Sequence, residues 1–496
     1  MRRKLFLLLL AAALTVSTVL LGANVYRGNS TLEVQVNGQQ MVSIDLSQGY
    51  AISPYLYGSN VFPQAGTDSQ DQAGSGFMSY NQQVIQGLRS AGIKLLRFPG
   101  GNWGEQHTPS TKQLNDFSNL LNQVGAEGIM QVQLSDPLDD PAVPLATRAS
   151  RAALFVDYMN NKNSIQRDAS APFHPIKYWT IGNEPDLLIN PDTNTQYTVT
   201  EYTQAFIAYS LAMHQRDPTI KIFGPEISKA PGPNEPRDAN GTLWMKGFLA
   251  NISAYERTHA LPFRLLDGVS FHSYPFDNAQ QDANQLLAQP EQWDTILSSL
   301  HQSIRQQFGE DLPIAITEIN TNPGKGVPPQ NLAATWWTDT LGKLMSNQVE
   351  YVAFFSTEGV DTPYPLFTQH GLTATAMLRT MQLFTSLQNN FIPTQQEAQS
   401  PVSIYATRDQ GGTTVSVLFI NKADASQQVN VQADSLLSFW PWRTAKLNIE
   451  RYSMVVLTLH RQGSNEAYSF NNQEVSQQEV PAIQHLACGE GGILIC

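Results

Sequence analysis

Residues 177–185 have the sequence Lys-Tyr-Trp-Thr-Ile-Gly-Asn-Glu-Pro, a short β-branched and aromatic run followed by the polar residues Asn183 and Glu184. A run of this length, bounded by glycine and proline, predicts a buried strand. The segment Pro-Ile-Ala-Ile-Thr-Glu at 313–318 has the same design and also ends on a glutamate, Glu318. The two segments therefore predict strands that each carry a carboxylate at the carboxyl end.

Eight such runs follow one another along the chain, separated by long amphipathic stretches. They are centred on Tyr57, Leu95, Met130, Trp179, Ile222, Val269, Ala315 and Ala353. This alternation is typical of βα units and a parallel sheet, and each interval leaves room for one helix and two loops. A doubly wound open sheet would give a similar pattern, but eight units with polar residues at the strand ends favour a closed (β/α)8 TIM barrel, an α/β fold.

The two ends of the chain have a different pattern. Residues 31–36 and 41–46 alternate apolar and polar side chains around Asn37-Gly38, a sequence typical of a hairpin turn. From about Ser400 onward, the helical stretches stop and short strand-like runs begin near residues 402, 413, 427 and 453. Two strands alone are barely stable, so we expect an accessory antiparallel β-sandwich built from both chain termini.

These patterns predict five segments. They are a signal peptide or signal anchor (1–23), N-terminal sandwich strands (24–50), the catalytic barrel (51–392), the C-terminal sandwich (393–462) and a polar tail (463–496). The only two cysteines, Cys488 and Cys496, lie in the tail and predict a disulfide loop in an oxidising compartment.

The N-terminus predicts export. Residues 1–4 are Met-Arg-Arg-Lys, residues 5–21 are apolar or hydroxyl-bearing, and Gly22-Ala23 offers a cleavage site. The apolar run is about as short as a membrane span can be, which leaves an uncleaved anchor open as an alternative. We therefore expect a secreted or extracytoplasmic protein, tethered to the membrane if the signal is retained.

Composition excludes some classes of partner. The chain has 42 Asp and Glu against 30 Lys and Arg, a net charge of −12, and no basic stripe that would bind a nucleic acid backbone. No cysteine or histidine spacing suits a structural zinc, and strand one ends Gly58-Ser59-Asn60 without the histidine pair of a metal-dependent barrel hydrolase. We predict neither a metal nor a cofactor.

Glu184 and Glu318 are the candidate catalytic residues. In a barrel they project into one mouth from the fourth and seventh strands and face each other across it. Cleavage of a glycosidic bond needs such a pair, because one carboxylic acid protonates the leaving oxygen while the other carboxylate attacks the anomeric carbon.

These motifs resemble glycoside hydrolase clan A. Two motifs carry the resemblance in the barrel: Asn183-Glu184-Pro185 after strand four and Glu318 at the end of strand seven. Residues 52–58 are similar to the strand-one entry of α-L-arabinofuranosidases and of endoglucanase/xyloglucanases. The motifs at 182–185 and 224–226 resemble the β-xylosidase and β-glucuronidase/heparanase branches. The resemblance implies a retaining hydrolase of plant or microbial polysaccharides or oligosaccharides, with Glu184 as acid/base and Glu318 as nucleophile.

The same resemblance implies roles for neighbouring residues. Asn183 would bind the substrate 2-hydroxyl, Tyr274 would donate to the nucleophile and His272 would contact a sugar hydroxyl. Apart from the resemblance, the position of Arg97 at the end of strand two predicts that it hydrogen-bonds Glu318 and holds it ionised. A capping role for Asn183, a structural salt bridge for Arg97 and a buried, satisfied His272 are the structural alternatives.

The glycine-rich segment 100–104 presents two further candidates, the amide of Asn102 and the indole of Trp103. Trp103 is predicted to be a sugar-stacking platform, with a hydrophobic plug over the barrel as the alternative.

Strand eight departs from the clan pattern. Many members have a tryptophan at its end, beneath the sugar, where this chain has Phe354-Phe355-Ser356. The floor of the subsite must therefore differ. A barrel that binds carbohydrate without cleaving it remains the alternative function, because a fold does not fix an activity.

Overall fold

The computed structural model describes residues 31–66, 76–135, 143–276, 282–322, 324, 327–358, 363–368, 371, 373–394, 400–433, 444–461, 464–476, 479–488 and 493–495. Within these ranges no helix is both long and apolar enough to cross a membrane. The predicted export signal at 1–23 lies outside them, as does Cys496.

The described chain begins with a hairpin. Strands β1 (Thr31–Val36) and β2 (Gln39–Asp45) are joined at Asn37 and Gly38, whose φ angles of 50° and 81° are those that the predicted turn requires. Alternate residues of β1 are buried, so the hairpin has one apolar face. A two-residue strand, β3 (Tyr50–Ala51), follows.

The next ten strands contain the barrel. They are β4 (Gly58–Asn60), β5 (Leu95–Phe98), β6 (Glu127–Val132), β7 (Tyr178–Ile181), β8 (Ile189–Asn190), β9 (Thr195–Gln196), β10 (Lys221–Ile227), β11 (Gly268–Ser273), β12 (Ile314–Ile319) and β13 (Tyr351–Phe354). Strands β8 and β9 pair with each other, and the other eight close in the order β10-β11-β12-β13-β4-β5-β6-β7. All the barrel pairings are parallel, which confirms the predicted (β/α)8 barrel.

Barrel strand one starts one residue after its predicted centre at Tyr57. Residues Pro54–Leu56 form a 3-10 turn instead, capped by the Ser53 hydroxyl, which accepts a hydrogen bond from the backbone N–H of Tyr55. The proline at the first position favours this helical turn over an extended start.

Ten α-helices lie in the described ranges. They are α1 (Gln82–Ser90), α2 (Asn102–Gln106), α3 (Thr111–Val124), α4 (Leu145–Asn160), α5 (Val199–Arg216), α6 (Trp244–Thr258), α7 (Ala283–Ala288), α8 (Trp293–Phe308), α9 (Gln330–Ser346) and α10 (Ala376–Phe384). Helices α3 and α5 begin with capping boxes at Ser110 and Thr198, which fix where each amphipathic segment starts.

The remaining strands form the sandwich. They are β14 (Asn390–Ile392), β15 (Val402–Arg408), β16 (Thr414–Asn421), β17 (Gln427–Ala433), β18 (Thr444–Ile449), β19 (Met454–His460), β20 (Glu466–Phe470), β21 (Gln484–Ala487) and β22 (Ile493–Ile495). One sheet has the order β2-β1-β17-β18-β22 and the other β21-β20-β19-β16-β15-β14-β3. Because β1 pairs with β17, the sandwich is built from both termini, as predicted.

Two details of the sandwich differ from the sequence expectation. The pairing of β18 with β22 is parallel, whereas the other sandwich pairings are antiparallel. Strands β20, β21 and β22 lie within 463–496, the predicted polar tail, so the sandwich extends past residue 462. Only Ala467 and Phe470 of β20 are buried, and this sparse apolar pattern gives little sequence signal.

Helix α9 joins the barrel to the sandwich. It is buried along most of its length. Trp336 and Trp337 are among its buried side chains, as expected for residues that pack a helix against its neighbours. Tyr405 of β15 lies against Gly342, where an added Cβ would fall 2.3 Å from the tyrosine ring. The Tyr405 hydroxyl donates a 2.7 Å hydrogen bond to Asp339 Oδ1, and Lys422 Nζ lies 3.2 Å from Asp339 Oδ2. The two parts therefore share one packed interface.

Candidate active site

Glu184 and Glu318 meet at the carboxyl end of the barrel. Glu184 follows β7 and has a φ of 48°, and its backbone N–H donates a 2.9 Å hydrogen bond to the carbonyl of Glu226. Glu318 is the second-last residue of β12 and is 4% exposed. One carboxylate oxygen of each glutamate and a ring nitrogen of His272 all lie within 4.8 Å of one another.

Both oxygens of Glu318 are held by hydrogen-bond donors. Arg97 Nη1 donates to Oε1 at 2.9 Å, and the Tyr274 hydroxyl donates to Oε2 at 2.6 Å. Burial, followed by the charges of Glu318 and Glu184, raises the pKa of Tyr274 well above its usual value, so the phenol keeps its proton. Gly101, with a φ of 63°, permits this packing, because a Cβ there would lie 2.5 Å from Glu318 Oε1.

Arg97 is the centre of the site. It is fully buried, and its Nη2 donates 2.9 Å hydrogen bonds to Asn183 Oδ1 and Glu226 Oε2. Burial opposes the charged form, but Glu226 and Glu318 outweigh it and raise the pKa of Arg97. The predicted contact between Arg97 and Glu318 is present, and the same side chain also fixes the amide of Asn183.

Glu226 was quoted in a motif but not predicted as a site residue. It is fully buried at the end of β10 and accepts a 2.7 Å hydrogen bond from the Thr317 hydroxyl. Burial alone would raise its pKa, but Arg97 and His272 lower the pKa to about 2. Glu226 is therefore ionised and balances the charge of Arg97.

His272 is a buried cation between the two candidate catalytic groups. Its Nδ1 lies 2.9 Å from Glu184 Oε1 and 3.5 Å from Glu318 Oε2, and its Nε2 lies 3.6 Å from Glu226 Oε2. Burial would lower its pKa, but the three carboxylates outweigh that effect and raise the pKa to about 10.

The predicted sugar contact of His272 therefore needs correction. The ring is fully buried and both its nitrogens face carboxylates, so it has no edge left for a substrate hydroxyl. The ligand atoms of His272, Glu184 and Glu318 lie close enough together to hold a metal ion. Because a protonated imidazole has no free lone pair, a metal would bind there only by displacing the proton.

Asn183 and Asn102 form a polar link from the buried site to the barrel mouth. Because arginine can only donate, the amide of Asn183 presents Oδ1 to Arg97 and points Nδ2 away from it. Nδ2 donates a 3.0 Å hydrogen bond to Asn102 Oδ1, and Asn102 is exposed. Both residues stay predicted contacts of substrate.

Trp103 does not have the geometry of a stacking platform. It is 8% exposed, stacks on His107 with ring centroids 4.7 Å apart, and meets Phe77 edge to face at 5.9 Å. Its faces are used in packing, which corresponds to the hydrophobic plug considered above. The glycine-rich sequence alone could not distinguish the two.

Phe355 follows barrel strand eight, at the place where the sequence departs from the clan's tryptophan. It is half-buried and makes edge-to-face contacts with Tyr274 at 6.2 Å and with Phe62 at 5.9 Å. Its carbonyl accepts a 2.7 Å hydrogen bond from Asn320 Nδ2. The phenyl ring of Phe355 therefore packs against Tyr274, the residue whose hydroxyl donates to Glu318.

A second buried carboxyl, Glu105 of α2, also escaped the sequence analysis. It accepts hydrogen bonds from the backbone N–H groups of Leu134 and Ser135 at 3.2 Å and from Gln131 Nε2 at 3.3 Å. Burial raises its pKa to about 7. Gln131 Oε1 in turn accepts from Arg97 at 3.3 Å, so Glu105 anchors α2 behind the site.

The predicted disulfide is seen only in part. Cys488 is disulfide-bonded and 7% exposed. Its predicted partner Cys496 lies outside the described residues, so the pairing stays a prediction.

Comparison with known proteins gives matches to glycosidases. The sequence profile of glycoside hydrolase family 44 matches residues 63–277. A probable α-L-arabinofuranosidase C of Aspergillus clavatus is 24% identical over 163 residues, which is 29% of this chain and 32% of that relative. The match thus spans about a third of the relative's own length.

Solved structures show the same fold over most of the chain. The α-L-arabinofuranosidase of Thermotoga maritima superimposes with a TM-score of 0.60 at 14% identity, covering 84% of this chain and 99% of that one. A Paenibacillus polymyxa xyloglucanase of family 44 has a TM-score of 0.55 at 14% identity, covering 83% and 97%. The chain is therefore similar to glycosidases in sequence over part of its length, and it has the fold of solved glycosidases over most of its length.

Proposed function

We propose that this protein is an exported, retaining glycoside hydrolase that cleaves O-glycosidic bonds by double displacement. The observation that carries the proposal is the opposition of the Glu184 and Glu318 carboxylates, with oxygens within 4.8 Å, at the ends of two barrel strands. Retaining glycosidases have carboxyl groups about 5–5.5 Å apart, whereas inverting enzymes need about 6.5–9.5 Å to admit a water molecule.

In the first step a carboxylate oxygen of Glu318 attacks the anomeric carbon. The bond from that carbon to the leaving oxygen breaks, and Glu184 donates its proton to that oxygen. The product is a glycosyl ester of Glu318 and a free alcohol. Arg97 and Tyr274 hold Glu318 in place for the attack. The positive charge of Arg97 and the hydroxyl of Tyr274 stabilise the carboxylate form of Glu318.

In the second step water hydrolyses the ester. Glu184, now a carboxylate, takes a proton from the water as its oxygen attacks the anomeric carbon, and Glu318 leaves as a carboxylate. Two inversions give net retention. The cation at His272 contacts both glutamates, so it stabilises whichever of the two is ionised at each stage.

The relatives support a proposal for the substrate class. Their names specify arabinofuranosides and xyloglucan, and the profile match is to family 44. We propose that a plant or microbial polysaccharide, or an oligosaccharide from one, is the substrate.

Export through the signal at 1–23 would bring the enzyme to such a polymer. Fractionation of the host cells, with detection by an antibody against the barrel, tests this location.

The test is a panel of polysaccharides and aryl glycosides with sizing of the products. Proton NMR of the first product formed should show the anomeric configuration of the substrate. Appearance of the opposite anomer would contradict the retaining mechanism. Binding of polysaccharide without any cleavage across the panel would instead support the alternative, a barrel that binds carbohydrate and is catalytically silent.

A further inference from the structure

A cavity of about 240 Å³ lies on the outside of the barrel wall, between helices α3 and α4 and the end of β6. None of its described lining residues belongs to the active site. Its walls are mainly apolar and aromatic, with Leu134, Phe155, Tyr158 and Tyr209 among the larger side chains.

Arg148 of α4 lines this cavity and has an unused donor. Its Nη1 and Nη2 bind the two carboxylate oxygens of Asp192 at 3.1 and 2.8 Å, and Nη1 also donates to the Val143 carbonyl at 2.8 Å. The side chain is only 4% exposed. Its Nε is therefore buried, yet it has no hydrogen-bond partner among the described residues. A guanidinium can serve one acceptor at its end and another along its Nε edge, and here only the end is occupied.

The larger polar side chains of the lining, those of Gln133, Tyr158 and Tyr209, are already paired. Gln133 Nε2 donates to the Glu105 carbonyl at 2.6 Å, the Tyr209 hydroxyl donates to the Gln133 carbonyl at 3.0 Å, and the Tyr158 hydroxyl donates to Asn115 Oδ1 at 2.9 Å. A sugar ring, which carries hydroxyls on every side, would leave most of them unpaired here. An apolar molecule with a single acceptor group matches the lining.

We propose that this cavity is a second ligand site, which binds a planar aromatic carboxylate of about the size of cinnamate. The ring would pack against Phe155 and the two tyrosines, and the carboxylate would accept from Arg148 Nε. Arg151, one turn further along α4, lies at the exposed rim of the cavity. A dry apolar cavity of about 150 Å³ is enough to hold benzene, so this volume suits a larger aromatic acid. The site does not depend on the proposed hydrolase activity.

Isothermal titration of the whole protein with cinnamate tests the proposal. We expect saturable one-to-one binding, and roughly tenfold weaker binding of the neutral cinnamamide, because a charge-assisted hydrogen bond becomes an ordinary one. Arg148→Lys keeps the positive charge but removes the Nε donor, and should weaken cinnamate binding by a similar factor.

A matched pair of variants at Leu154, which lines the cavity and is 37% exposed, locates the site. Leu154→Trp should fill the cavity and abolish binding, whereas Leu154→Ala should keep it. Both should retain wild-type hydrolysis of any active aryl glycoside and wild-type melting temperature. Absence of saturable binding to the wild type, preferential binding of cellobiose, or cinnamate binding that survives Leu154→Trp would overturn the proposal.

Discussion

His272 and Glu184 are joined by a hydrogen bond of 2.9 Å between Nδ1 of the imidazole and Oε1 of the carboxylate. The same nitrogen lies 3.5 Å from Glu318 Oε2, so one buried cation contacts both groups of the proposed reaction. Two carboxyl groups this close would repel each other without it whenever both are ionised. The pair therefore depends on a histidine that is fully buried.

This cation gives the first prediction, for the variant His272→Asn. Because folding raises the pKa of His272 from 6.5 to about 10, its contribution to stability is complete below pH 6.5 and is lost as the pH rises toward 10. Asparagine can donate a hydrogen bond but carries no charge. The difference in unfolding free energy between wild type and variant, measured by urea denaturation, should be largest near pH 6 and shrink toward pH 10.

His214→Asn is the matched control for that experiment. Burial lowers the pKa of His214, so its effect on stability runs in the opposite direction and is lost as the pH falls. A difference for His272→Asn that stays constant from pH 6 to pH 10 would contradict the assignment of a buried cation.

Glu226 gives the second prediction. Glu226→Gln keeps the shape of the side chain but leaves the buried Arg97 with one carboxylate fewer. Breaking a buried ion pair typically costs about 3–5 kcal/mol, and we expect destabilisation of that order at pH 7. Because folding lowers the pKa of Glu226 from 4.5 to about 2, the difference should shrink as the pH falls from 4.5 toward 2. A variant as stable as wild type at pH 7 would show that Glu226 does not balance Arg97.

The third prediction separates the two steps of catalysis through Glu184→Ala. A poor leaving group needs the proton from Glu184, so kcat/KM on such a glycoside should fall by about 10²–10⁴-fold. A dinitrophenyl glycoside leaves without a proton, and its first step should be affected much less. Stopped-flow release of dinitrophenol measures that step, and equal losses on both substrates would exclude Glu184 as the acid.

The fourth prediction concerns the sandwich. A fragment covering 24–392 would keep β1 and β2 but lose β17, the strand that pairs with β1. It would also uncover α9, whose Asp339 accepts a hydrogen bond from Tyr405 and forms an ion pair with Lys422. We expect insoluble protein, because an unpaired hairpin edge and an apolar flank are exposed together. A soluble fragment with wild-type activity on a small aryl glycoside would refute this architecture.

Local patterns were sufficient for the barrel, the hairpin and the two glutamates. Each barrel strand is a compact apolar run, and Glu184 and Glu318 follow directly from the ends of two of them. The position of Arg97 at the end of β5 also indicated its contact with Glu318, since both project into the same mouth. These features depend on residues that are near in sequence or related by strand order.

Features that depend on side-chain packing could not be predicted. The role of Glu226 as the partner of Arg97 depends on how the barrel closes around the buried guanidinium. The position of Glu226 at a strand end, in the motif at 224–226, indicated the barrel mouth but not this pairing. Trp103 looked available because glycines surround it, but Phe77 and His107 cover its ring. Strands β20 to β22 are only three to five residues long and lie among polar residues, so their pairing with the sandwich leaves little trace in the sequence.

The central claim, that Glu318 is the nucleophile, is tested most directly by Glu318→Gly with added azide. The variant should retain wild-type folding by circular dichroism and lose activity by on the order of 10⁴-fold or more, because the attacking group is gone. Azide should enter the space left by the carboxylate, restore part of the activity and yield a glycosyl azide of inverted configuration. Near-normal activity without azide, or an azide product of retained configuration, would contradict the account.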